Sequence, residues 1–187
     1  MEYKFISSPE QLLEYLDNHF CYGVIGANGK KFLDNNEEGF ELACNNDWKL
    51  RSVSQMLKDG IGHCYDQVEI ERAWFVSKGY EVKTFWIVAY QRGIKNSGFS
   101  HTYLIYKDNN KWKLFEHSDF SNRGIHEFNS VKEAVKWQAA KQIKYAESVI
   151  KPIDKYDVVI KEFTKPNEGL TMKEYIEFVE VFEDFKM

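Results

Sequence analysis

Gly62-His63-Cys64-Tyr65-Asp66-Gln67-Val68-Glu69 opens the most regular helical run of the chain. From Tyr65 to Lys78 there is neither proline nor glycine, and Gly79 follows at the position where helix ends favour glycine. The spacing predicts a helix over 65–78 with Cys64 at its start. At about 100° per residue, Val68 and Phe75 share the angular position of Cys64, so the thiol belongs to the stripe that packs inward, not to the wet face. The unpaired N–H groups and the dipole of a helix N-terminus stabilise an anion there. A nearby imidazolium would lower the thiol pKa further, and the combination describes an activated nucleophile.

An imidazole is available downstream. Phe99 to Lys107 alternates as a strand with His101 near its start, and Lys111 to His117 reads as a second strand ending near Glu116. Asp108-Asn109-Asn110 lies between them as a hairpin turn, since Asn and Asp tolerate the left-handed conformations such turns require. If Asp108-Asn109 are the turn residues, paired positions sum to 217 and His101 faces Glu116 directly. If Asn109-Asn110 turn the chain, or the loop has four residues, the sum is 219 and the pair is diagonal. Either even-length loop leaves both side chains on one face of the sheet. An odd loop with a bulge would separate them.

Gly62-His63-Cys64-Tyr65, His101-Thr102-Tyr103 and Trp112 with Glu116 together resemble the transglutaminase-like superfamily within the papain-like thiol enzymes. That pattern runs Gly-x-Cys-Trp/Tyr at a helix start, then His beginning a strand, then Trp followed four residues later by an acid. The likeness covers roughly residues 48–128. The run from Tyr65 to Glu69, Phe115-Glu116-His117-Ser118 and Arg123-Gly124-Ile125-His126 look like small bacterial members of that superfamily. The resemblance implies an α+β papain-like fold over residues 1–187, with the nucleophile helix packed on an antiparallel sheet. It implies a Cys64, His101, Glu116 triad acting on peptide or glutamine-type amides by hydrolysis, deamidation or amine transfer, with no cofactor. The acid is usually Asp, and Glu116 is one methylene longer. For the oxyanion donor that the larger family often takes from an upstream side chain, Trp48, Gln55 and Tyr22 are all candidates, beside the backbone N–H of Cys64. The alternative is a retired domain of this fold that holds a peptide or a partner protein in the same cleft.

Composition narrows the classes. With 187 residues, 43% hydrophobic and 29% charged, the chain is ordinary globular material able to bury a sizeable core. A net charge of −4 argues against nucleic acid as a partner. The apolar stretches are too short to span a bilayer, and the first nine residues lack a signal-like apolar core, so a cytoplasmic location is expected. Three widely spaced cysteines make no disulfide framework, which suits a reducing compartment. Cys21 and Cys44 read as small core residues, and His19 and His126 as structural. His63 and His117 alternate with the candidate residues and are expected to point elsewhere. Adjacent His63 and Cys64 do not converge on one ion with His101 or His117, so no metal is implied.

Elsewhere the signals are local. Ser8-Pro9 caps an amphipathic run through Leu12, Leu13 and Leu16. Tyr22 to Phe32 reads as a strand pair turned at Asn28-Gly29, Asp34 to Asp47 as a long polar loop, and Leu50 to Lys58 as a short helix. Tyr80 to Gln91 is a strong strand, followed by an irregular connection to Gly98. Ser130 with Glu133 and Thr171 with Glu174 are capping boxes at the heads of two further helices, with a strand from Tyr156 to Thr164 between them. The lysines from Lys132 to Lys155 read as a solvated helix face.

Overall fold

The computed structural model describes residues 3–92, 98–149 and 156–187. The expected irregular connection before Gly98, and the last lysines of the 132–155 cluster, lie largely outside them. After a 3-10 turn at Tyr3–Phe5 come α1 (Pro9–His19), β1 (Cys21–Tyr22), β2 (Val24–Ile25), β3 (Lys31–Phe32), α2 (Phe40–Asn46), α3 (Val53–Asp59) and β4 (Ile61–Gly62). The second half holds α4 (Cys64–Ser77), β5 (Glu81–Gln91), β6 (Phe99–Asp108), β7 (Lys111–Glu116), β8 (Gly124–Phe128), α5 (Val131–Val149), β9 (Tyr156–Phe163) and α6 (Met172–Glu180). The fold is α+β, built on a five-stranded antiparallel sheet of order β8-β7-β6-β5-β9.

Strand alternation sorts the core into two layers. Phe85, Ile87, Tyr103, Ile105 and Leu114 face α5 and pack with its Ala134, Val135 and Ala139. Trp86, Val88, Leu104, Tyr106 and Phe115 belong to the larger cluster on the opposite side, with Val68, Trp74 and Phe75 of α4. This period of two is what half-buried strands produce.

Helix α4 departs from the amphipathic expectation. Val68 and Phe75 are buried with Cys64, but so are Asp66, Gln67, Glu69, Glu71 and Arg72, so the helix has almost no wet face. Its polar side is covered from several directions. Tyr3 donates to the carbonyl of Ile70 at 2.9 Å, Tyr175 of α6 stacks on Tyr65 at 4.5 Å, and Trp48 packs edge-on to Tyr65.

Two local readings are corrected. Residues 34–47 are not all loop, because Phe40 and Ala43, spaced as one helical face, bury themselves and make α2. The hairpin around Asn28-Gly29 is confined to β2 and β3, with Val24 opposite Phe32. Cys21 and Tyr22 instead form a parallel pair with Ile61 and Gly62, just upstream of Cys64. Cys21 is exposed, and so is no core residue.

The caps behave largely as expected. Ser8 accepts from Gln11 N–H at the head of α1, and Thr171 and Glu174 form a reciprocal box at α6. At α5, Ser130 accepts from Glu133 N–H at 3.1 Å, but the Glu133 carboxylate reaches back one residue further, to Asn129 N–H at 2.9 Å.

The β6–β7 register is the 219 alternative. Asp108 pairs with Lys111, and Asn109 and Asn110 turn the chain with φ of 48° and 63°. Both residues are exposed, so their contribution is conformational rather than packing. Replacing Asn110 by Val should therefore lower stability by about 1–2 kcal/mol, while Asn110→Gly should be neutral or stabilising. Urea midpoints of the two variants check this, and equal midpoints would show that the left-handed turn imposes no constraint.

Candidate active site

The nucleophile end of α4 is built by its own first turn. Cys64 is the first helical residue and His63 the N-cap. His63 Nδ1 accepts from Tyr65 N–H at 3.2 Å, and the Asp66 carboxylate accepts from His63 N–H at 3.2 Å. Asp66, wholly buried, also accepts from Trp48 Nε1 at 2.8 Å and lies 3.4 Å from Arg51 Nη2. Gly62 is required by proximity, since a Cβ there would stand 2.5 Å from the Asp66 Cβ. The approaching chain is clamped as well. Arg51 donates to Ile61 O at 2.7 Å, Gln67 Nε2 donates to Gly62 O at 3.0 Å, and Gly23 N–H donates to Gly62 O at 3.2 Å.

His101 and Glu116 come from the ends of β6 and β7. His101 Nε2 bonds Glu116 Oε2 at 2.7 Å, and Oε1 of the same carboxylate accepts from Asp119 N–H at 2.8 Å and Ser118 Oγ at 3.1 Å. The β6–β7 ladder stops at Leu104 opposite Phe115, so the diagonal pair lies past the last rung. The His101 ring stacks on Tyr103, on the α5 side of the sheet. Helix α4 lies on the other side, and the Cys64 thiol and the His101 imidazole interact closely enough for each to shift the other's pKa. With Nε2 engaged by Glu116, Nδ1 is the nitrogen free for sulfur.

Electrostatics follow from this packing. Burial alone would raise the Cys64 thiol, but the adjoining imidazoles of His101 and His63 outweigh it and bring its pKa down to about 6. Burial also works against a proton on His101, yet the Glu116 carboxylate and the Cys64 sulfur hold it protonated well above the usual histidine range. Glu116 is pulled below the ordinary carboxylate value, because His101 and the donors from Asp119 and Ser118 overcome its desolvation. At neutral pH the favoured state is thiolate, imidazolium and carboxylate.

All three expected residues are therefore brought together. Two of the expected oxyanion donors are committed elsewhere, Trp48 Nε1 to Asp66 and Gln55 Nε2 to Asp59 at 2.7 Å. Tyr22 lies beside the site through its pairing with Gly62, its ring stacked on Phe40 and edge-on to the exposed Phe120. The expectation for His63 is overturned, because its ring adjoins the Cys64 thiol instead of pointing away. His117 does point elsewhere: its Nδ1 meets Gln67 Oε1, and its Nε2 lies 3.3 Å from Asp17. His126 is structural, bonded to Asn122 O and packed on Trp137. Asp66 and Gln67 are polar residues of the site that helical spacing alone does not mark. Asp66 did leave a signal, a carboxylate three residues past the N-cap, but histidine is an unusual cap and hid the box.

Among the described residues no three His, Cys, Asp or Glu side chains are grouped to hold a metal ion, and no helix is long and apolar enough to cross a membrane. A surface depression lined by Lys78, Tyr80, Glu81, Lys107 and the Asn109-Asn110 turn lies at the opposite end of α4 from Cys64. No protein-family model matches the sequence, and no curated protein matches it.

The depressed thiol pKa gives a direct test. Cys64 should be the first cysteine modified by limiting iodoacetamide near pH 6.5, ahead of the more accessible Cys21 and Cys44, and its rate should fall away as pH drops through about 6. His101→Ala should slow the reaction. Equal labelling of the three cysteines, read by peptide mass spectrometry, would count against a primed thiolate.

Proposed function

We infer that this protein is a thiol-dependent acyl-transfer enzyme of papain-like, transglutaminase-like fold, acting on amide bonds through Cys64, His101 and Glu116. The observation that carries this reading is the convergence of the three groups. A helix-start thiol adjoins an imidazole whose far nitrogen is bonded to a buried, twice-supported carboxylate. A structural histidine needs one partner, whereas this one bridges an acid and a thiol.

Each group has one task. Cys64 Sγ attacks the carbonyl carbon, and the oxyanion that forms is placed near the Cys64 N–H, which has no intrahelical acceptor at the first helical position. The carbon–nitrogen bond then breaks as His101 passes its proton to the leaving amine, which leaves a thioester. Water attacks that thioester while His101 takes up its proton, releasing the acid and the free thiolate. An amine in place of water gives transfer. Glu116 holds the ring orientation and offsets its charge throughout. Cys64 and His101 are each only 8% exposed, which favours a slim group such as a side-chain carboxamide or an extended peptide.

Acylation by p-nitrophenyl acetate tests the reading without a known substrate. The wild-type protein should release a burst of p-nitrophenolate and carry one acetyl group on Cys64, and Cys64→Ala should do neither. Glu116→Gln keeps the size but removes the charge, so turnover should fall by about 10²-fold or more, while Glu116→Asp retains much of it. Wild-type turnover in Glu116→Gln would show that the acid is misassigned and that a Cys–His dyad does the chemistry. No acyl-enzyme on the wild-type protein would remove the acyl-transfer reading itself.

A further inference from the structure

Consecutive residues of a strand point to opposite faces, so while Glu116 turns to His101, the next residue, His117, turns toward α4. There its Nδ1 meets Gln67 Oε1 at 2.5 Å, across 50 residues of chain. Gln67 stands one turn past Cys64, and its Nε2 donates at 3.0 Å to Gly62 O at the end of β4, the segment that delivers the nucleophile. One side chain thus touches both the approach to the cysteine and the neighbour of the acid. The acyl-transfer steps above give it no task.

The polarity of this contact is fixed. Gly62 O can only accept, so the Gln67 amide nitrogen must face it and the amide oxygen must face the imidazole. Nδ1 therefore carries the ring's proton. Gln67 and His117 are each 1% exposed, so neither partner can fall back on bulk water, and an unmet donor or acceptor there would be costly. On the far side of the ring, Nε2 lies 3.3 Å from Asp17 of α1. Arg123 binds that same carboxylate at 2.5 Å, and its Nε donates to His117 O at 2.9 Å. Burial and the guanidinium hold the His117 pKa down to about 4, so the ring stays neutral where the thiolate forms.

The contact sits where the sheet gives the acid least support. Strands β6 and β7 are laddered only as far as Leu104 and Phe115. Beyond that rung Glu116 pairs with Gly124 of the edge strand β8, and the ladder sets no register between it and β6, which carries His101. We propose that Gln67 and His117 form a positioning clasp, which sets how closely the Cys64 end of α4 meets the His101–Glu116 pair. The assignment rests on reading Cys64 as the nucleophile. Both residues act through their neighbours in the chain and not on the substrate.

Breaking the clasp from either side should give one result. His117→Leu removes the donor, Gln67→Met removes the acceptor, and His117→Asn keeps an amide N–H at about the position of Nδ1. The readout is the pH–rate profile of Cys64 alkylation by iodoacetamide, with urea midpoints alongside. Both loss variants should move the inflection upward and slow the reaction near pH 6 about tenfold, while the rate on the high-pH plateau stays that of wild type. The double variant should shift the inflection no further than either single one, because the two residues serve one contact. His117→Asn should restore most of the wild-type profile. A merely structural contact would lower the urea midpoints and leave the inflection in place; that result overturns the proposal, and so do shifts that add in the double variant. Should both loss variants fail to fold, His117→Asn decides alone, and an upward shift in its inflection despite the retained donor sinks the clasp. The assay uses no acyl donor. A wild-type protein with a depressed inflection but no acetyl-enzyme therefore removes the acyl-transfer reading and leaves the clasp standing.

Discussion

The Asp66 carboxylate is the constraint on which the rest of the site depends. It is wholly buried at the third position of α4 and takes donors from His63 N–H, Trp48 Nε1 and Arg51. Burying such a group without partners would cost several kcal/mol, so its donors are obligatory. Because they come from two separate pieces of chain, satisfying them draws the loop after α2 and the turn before Cys64 onto the head of the helix. The helix dipole adds to the same end, since a carboxylate in the first turn sits at its positive pole. Cys64 is aimed as a by-product: once Asp66 is satisfied, the residue between the cap and the second helical position has one direction left.

The acid side of the site obeys the same arithmetic. Two unit charges 2.7 Å apart, as in His101 and Glu116, attract by roughly 6 kcal/mol at an effective dielectric near 20. Taking each ion out of water costs several kcal/mol, so the pair alone would be close to balance. The Asp119 N–H and Ser118 O–H on the other carboxylate oxygen tip it toward the ionised form. They come from the chain just past β7, in the same segment whose His117 is bonded to Gln67 on α4. Helix start and strand end are thereby tied by a buried amide–imidazole contact as well as by the thiol.

Much of this was legible because it is local and periodic. The start of α4, the strands around it and the shared face of His101 and Glu116 follow from spacing, and either even-length turn gives the same parity. The choice between the two turns was not legible, because it depends on which Asn residues enter the left-handed region, and Asp108, Asn109 and Asn110 all tolerate it. Nor was the burial of Glu69, Glu71 and Arg72, which follows from α6 and the N-terminal segment packing over the polar side of α4, far away in sequence. Helix α2 was hidden by its flanking polar residues, although Phe40 and Ala43 carried the spacing. His63 was set aside by an alternation argument that holds for strands. It sits at a helix cap, where neighbouring side chains can converge.

Charge, more than shape, limits what this interior can hold. Glu69, pushed up to about 7 by burial, is opposed by Arg72 at 3.1 Å and by Lys165, and Arg72 rests over the Phe163 ring. Glu71, two turns below Cys64, is driven well above the carboxylate range by burial and by the nearby Glu116, Glu69 and Cys64. Asp66 and Glu116 hold their charge because N–H and O–H groups are aimed at them before any chemistry begins. The Cys64 sulfur is closer to that second class, because the neighbouring imidazoles outweigh its burial and favour the anion in the folded chain.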